Sequence, residues 1–120
     1  MDELQLQIRK RIKSDEIDKT VNVEKQNRHI RGTHEYVDER SYLLENVDPQ
    51  ELVDRYHSTG ELDVSLDGHW KNKETIVADR IVGVNVNPNT KDEALTNIFK
   101  IHYSRTGTHI VPTLKRVILI

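Results

Sequence analysis

The segment Ile98-Phe99-Lys100-Ile101-His102-Tyr103-Ser104-Arg105-Thr106-Gly107-Thr108-His109-Ile110-Val111-Pro112 concentrates side chains that can move protons and hold an anion. Side chains alternate along a strand, so Phe99, Ile101 and Tyr103 share one face while Lys100, His102 and Ser104 share the other. An even-numbered tight loop, with Arg105-Thr106 or Thr106-Gly107 at its tip, returns His109 to the face of His102 and Ser104 and sets Ile110 beside Tyr103 on the core face. An odd-numbered loop reverses this. Two imidazoles, a hydroxyl and a lysine on one face match what RNA cleavage without a metal requires: a base for the 2′-hydroxyl proton, an acid for the leaving oxygen, and donors for the phosphorane oxygens. The plainer alternative is a solvated sheet face with Lys100 lying along it, which a single histidine would favour and two converging histidines weigh against.

A second candidate stretch is Lys25-Gln26-Asn27-Arg28-His29-Ile30-Arg31-Gly32-Thr33. Lys25 and Arg28 could bind phosphate, His29 could add an imidazole, and Gly32-Thr33 lets the backbone turn close past a substrate. Read alone it is a basic helix end, favoured there by the helix dipole. His34, His57 and His69 read as surface residues and Trp70 as core. No histidine pair has H-x-x-x-H or H-E-x-x-H spacing, and the chain has no cysteine, so neither a zinc site nor a disulfide is expected and no cofactor is called for.

Positioning these groups falls to a chain of 120 residues, which has room for one core and one domain. Hydrophobic residues make up 35% and charged residues 32%, so part of the chain should be solvated arm or loop. The 18 Lys and Arg against 20 Asp and Glu leave a formal charge of -2, so contact with nucleic acid needs a local basic patch. No apolar run approaches a membrane span, and the charged start MDELQLQIRKRIKSDEIDK does not read as a signal peptide.

Residues 1–19, with a thin stripe at Leu4, Ile8 and Ile12, read as a charged helical arm or linker that packs weakly; residues 20–120 read as the domain. Asn22 caps a short helix toward Ile30, a further helix is plausible from Tyr36 to Leu44, and Asp48-Pro49-Gln50-Glu51 starts another. A loop then runs to Asp67-Gly68. From Trp70 the period turns β-like, with strands expected over 75–78, 81–86, 98–103, 109–111 and 117–120, and a turn at Asn87-Pro88-Asn89-Thr90. The expected class is α+β, with N-terminal helices packed on a four- to five-stranded antiparallel sheet.

Lys25-Gln26 with His29-Ile30 and Gly32-Thr33, then Asp48-Pro49-Gln50-Glu51-Leu52 and Gly60, then Ile101-His102-Tyr103-Ser104, Gly107 and Thr108-His109-Ile110-Val111-Pro112, resembles the polymorphic toxin type 50 pattern over residues 21–112. The resemblance implies a ribonuclease of the barnase/EndoU/colicin/RelE-like superfamily, acting in the bacterial cytoplasm as the tip of a larger secreted or phage-associated protein and neutralised by an immunity protein. It also implies His29, His102, His109, Ser104 and Thr106 as catalytic candidates, with Lys25 the residue carried over for RNA. Arg28, Thr33, Lys100 and Arg105 are further candidates for binding RNA. The start at Met without a delivery domain points to a free-standing or excised unit, and the slightly acidic charge keeps a non-catalytic phage-derived binding or inhibitor protein open. A metal-dependent DNase ranks third.

Overall fold

In the computed structural model, which describes residues 2–114, the backbone ladders run in two antiparallel sheets rather than one. The elements, in chain order, are α1 (Glu3–Lys13), α2 (Val23–Asn27), β1 (Tyr42–Leu43), α3 (Pro49–Tyr56), β2 (Glu61–Val64), β3 (Trp70–Val77), β4 (Gly83–Val86), β5 (Glu93–Thr96), β6 (Ile98–His102) and β7 (His109–Thr113). The larger sheet has the order β2-β3-β6-β7 and the smaller the order β1-β4-β5. The α+β class therefore holds. The strand expected over 117–120 lies outside the described residues.

Alternation decides which face of the larger sheet is core. Glu74 and Ile76 of β3, Phe99 and Ile101 of β6, and Ile110 of β7 are buried. Their neighbours Lys73, Lys100, His102, His109 and Val111 are only half-buried. Helices α1 and α3 cover the buried face through Ile8, Ile12, Leu52 and Val53, with Tyr56 set edge-on to Phe99 at 5.9 Å between ring centroids. The start of α3 is as its sequence dictates, with Pro49 in the first turn and the Asp48 carboxylate accepting from the Gln50 amide at 2.9 Å.

The N-terminal arm packs more closely than its thin stripe predicts. Ile8, Ile12 and the following Ile17 belong to the core cluster, and Ile12 is fully buried. The Arg9 guanidinium donates to the carbonyls of Ser58 and Gly60, closing the end of α3. Beside it the buried Glu74 carboxylate accepts from the Ser58 amide (2.8 Å), the Gly60 amide (2.6 Å) and the Tyr103 hydroxyl (2.6 Å). Burial and the neighbouring Glu74 charge push the Tyr103 phenol well above its ordinary value, so it stays a donor. Gly60 fits this crowded corner because a β-carbon there would lie 2.2 Å from the Thr75 carbonyl oxygen.

Three local expectations are corrected. The helix expected over Tyr36 to Leu44 is a series of turns ending in β1: Glu39 takes a positive φ of 70°, and the Leu43 and Leu44 amides donate to the His29 and Val82 carbonyls. Backbone pairing with distant segments overrides the local apolar spacing. The loop expected before Asp67-Gly68 contains β2, whose Leu62 is buried while Glu61 is exposed. Strand β5 was not expected because three of its four residues are exposed, so it is held by its ladder to β4 and carries no apolar alternation. The Asn87-to-Thr90 turn between β4 and β5 does form, with the Asn87 side chain accepting from the Asn89 and Thr90 amides.

Candidate active site

The β6–β7 pairing sets the imidazoles. His102 and His109 are cross-strand partners, followed down the ladder by Ile101 with Ile110 and Lys100 with Val111. The connecting loop, residues 103–108, is longer than a tight turn, but its even length keeps both histidines on the exposed face. The His102 and His109 rings lie 4.7 Å apart between centroids, tilted by 43°. The His29 ring, on the turn after α2, lies nearly parallel to His109 at 6.0 Å.

His29 arrives there because α2 is latched to β7. The Asn22 side chain accepts from the Lys25 amide, capping α2, and donates to the Thr106 carbonyl at 2.8 Å. The backbone of Asn22 and Thr108 exchanges further bonds with its neighbours: Asn22 N–H to the Thr108 carbonyl and Thr108 N–H to the Thr20 carbonyl. Gln26, fully buried, imitates a strand: its amide donates to the Ile110 carbonyl at 2.9 Å and its carbonyl accepts from the Ile110 amide at 2.7 Å. Gly107 makes the close approach possible, with φ +106° and a virtual β-carbon 3.0 Å from the Thr20 carbonyl oxygen.

The latch brings Lys25 over the hairpin loop. Its ammonium lies 3.0 Å from the Thr106 hydroxyl and 3.4 Å from that of Ser104, and the two hydroxyls are 3.0 Å apart. One cation and two hydroxyls thus converge beside the imidazoles. His29 Nδ1 lies 2.9 Å from the Ser41 carbonyl, which can only accept, so Nδ1 carries the hydrogen and Nε2 of the neutral ring offers its lone pair.

All three histidines are pushed below their ordinary pKa. Burial is the largest cause for each. His102 falls to about 3, helped by the nearby charges of His109, Lys73, His29 and Lys100. His109 falls to about 4, helped by His29, Lys25 and Arg28. For His29 the Ser41 carbonyl opposes the effect, while Arg40 and Arg28 add to it. The site is a cationic surround that holds neutral imidazoles near pH 7.

That surround is not compensated by carboxylates. Among the described residues the ion pairs are Arg9 with Glu74, Arg11 with Glu16, Arg55 with Asp79, Arg80 with Glu51 and Lys91 with Glu39. None engages Lys25, Arg28, Lys73 or Lys100. Arg28 is exposed beside His29, Lys100 stands next to His102 on β6, and Arg105 is exposed on the hairpin loop. Thr33 is placed otherwise: its hydroxyl lies 2.7 Å and 2.8 Å from the Asn27 and Ile30 carbonyls, holding the turn that carries His29. Lys73 was not anticipated, because it belongs to β3 and only the β3–β6 register sets it opposite His102. Nothing local in the sequence marks it.

Among the described residues no group of three or more His, Asp or Glu side chains is arranged to hold a metal ion, and no helix is long and apolar enough to cross a membrane. A family model described as bacterial toxin 50 matches residues 21–112, from the bridge residue Val21 to Pro112 of β7, and so contains the whole histidine cluster. No curated protein matches the chain.

Proposed function

Since the chain belongs to the bacterial toxin 50 family, we propose that its toxic activity is that of a metal-independent endoribonuclease. The observation that carries this reading is the gathering of His29, His102 and His109 in one uncompensated cationic surround, next to the Lys25–Ser104–Thr106 donor group. A phosphodiester lodged there would accept from Lys25 and the two hydroxyls, which stabilise the extra charge of the phosphorane. A neutral imidazole takes the 2′-hydroxyl proton as the 2′-oxygen bonds to phosphorus. The bond from phosphorus to the 5′-oxygen breaks, and a protonated imidazole supplies that oxygen with its proton. The products are a 2′,3′-cyclic phosphate and a 5′-hydroxyl.

The acid form is the demanding part, because His102 and His109 are neutral well below pH 7 in the free protein. A bound phosphodiester offsets the cationic crowding and raises the imidazole pKa values, so one ring can be protonated in the complex while another stays neutral. The same low values favour a second reading, a non-catalytic binding or inhibitor protein on this scaffold. A cognate immunity protein, bacterial RNA as substrate and action in the cytoplasm after delivery as part of a larger protein belong with the ribonuclease reading. Purified protein incubated with total RNA in excess EDTA tests it. Degradation is expected; intact RNA in EDTA with cutting restored by a divalent ion would rule it out.

A further inference from the structure

The β3–β6–β7 register lays one row of polar side chains across three strands: Lys73 opposite His102, and His102 opposite His109. The row continues through the His29 ring stacked on His109, with Arg28 beside it. Cross-strand partners share a face, so Lys73 lies on the histidine side of the sheet, and the buried Glu74 next to it points the other way. Lys25 and the hydroxyls lie at the hairpin loop, and Lys73 lies across His102 from His109. The Lys73 backbone carbonyl accepts from the Trp70 indole at 3.0 Å, which fixes this point of β3 while leaving the ammonium uncommitted.

Strands in a sheet lie about 4.8 Å apart, so Lys73 stands about 10 Å along the row from His109. Lys25 acts on the His109 side of the imidazole pair and Lys73 on the His102 side, an arrangement matched by a strand with phosphates on either side of a nucleotide. We propose that Lys73 binds a phosphate flanking the scissile one, so that the substrate is a single RNA strand laid across β3, β6 and β7 and extending at least one phosphate beyond the cleavage point. Lys100, one row along with Thr75 and Val111, flanks the same path.

This inference rests on the ribonuclease reading, and the experiment separates the two. Binding of the full chain to a short single-stranded RNA with 2′-deoxyribose at the cleaved position is measured across a salt series. Each phosphate contact contributes a slope of about -0.7 in log K against log salt for single strands, so Lys73→Gln should reduce the slope by about that much and Lys73→Arg should preserve it. In cleavage, a trinucleotide with two phosphates should outperform a dinucleoside monophosphate by about tenfold or more, and Lys73→Gln should bring that trinucleotide-to-dinucleoside ratio to about one; the ratio is read within each variant, so a change in His102 titration common to both substrates cancels. Thermal melting checks that the variants are folded. No cleavage of any length by the parent sinks the ribonuclease reading and this inference with it. Cleavage with no length gain, or with a gain and salt slope indifferent to Lys73→Gln, overturns the inference alone.

Discussion

Lowering the pH from 7.5 to 5 should destabilise this protein through its clustered histidines, His102 and His109 most of all. His102 and His109 have folded pKa values near 3 and 4 against an ordinary 6.5, so in that interval the unfolded chain takes up protons that the folded one refuses. Their stabilisation is fully present above the unfolded pKa and is lost as pH falls from about 6.5 toward the folded values. At pH 5 the unfolded form of each lies about 1.5 pH units below its pKa, which at about 1.4 kcal/mol per unit is about 2 kcal/mol per ring. Both folded groups are still neutral at pH 5, so the exact depth of their shifts does not enter. The pair gives a ceiling of about 4 kcal/mol, and partial exposure of both rings brings their expected loss to about 2–3 kcal/mol; His29, lowered in the same direction, adds to it. Asp67 and Asp79 are also lowered, but from 3.8, so they contribute only at more acid pH. Urea denaturation at half-unit pH steps reads the slope, and His102→Gln/His109→Gln should make it clearly shallower, leaving the part due to His29. A parent curve that stays level from pH 7.5 to 5, or a double variant with the parent's slope, would refute the buried, cation-surrounded placement of the rings.

Three further outcomes follow from the contacts. Lys25→Met should lower kcat for RNA cleavage by about 100-fold, as loss of one oxyanion donor does. It should also raise the His109 pKa by NMR titration, since Lys25 is among the charges that lower it; a mere structural role for Lys25 would leave both unmoved. Gln26→Ala strands the buried Ile110 amide and carbonyl and should cost about 2–4 kcal/mol in chemical denaturation; a cost below 1 kcal/mol would mean that α2 is not latched through that amide. Ile12→Ala, at a fully buried position of α1, should cost about 2–5 kcal/mol, whereas a loosely packed arm would show almost none.

Much of the hairpin was legible in the sequence, because two-residue alternation and an even loop fix the face of His102 and His109 whatever the loop's detailed shape. The caps at Asn22 and Asp48 were legible too, each being a short side chain that can reach an amide two or three residues on. The convergence of Lys25 and His29 on the hairpin came from family resemblance, since nothing in their local spacing calls for a partner about eighty residues away, and the Gln26–Ile110 latch is visible only in three dimensions. Lys73 stayed hidden for the same reason: register between β3 and β6 is set by the buried partners of Glu74 and Ile76, not by the lysine itself. The close packing of α1 is not legible locally, because Ile8 and Ile12 make a thin stripe whose burial depends on a sheet that forms far along the chain.

The most direct measurement is the chemistry of the new ends. A defined RNA oligonucleotide treated with the parent protein in EDTA, and with His102→Gln and His109→Gln, should yield fragments whose mass carries a 2′,3′-cyclic phosphate from the parent, and about 100-fold less or none from the variants. Fragments ending in a 5′-phosphate, or undiminished cleavage by both variants, would contradict the account.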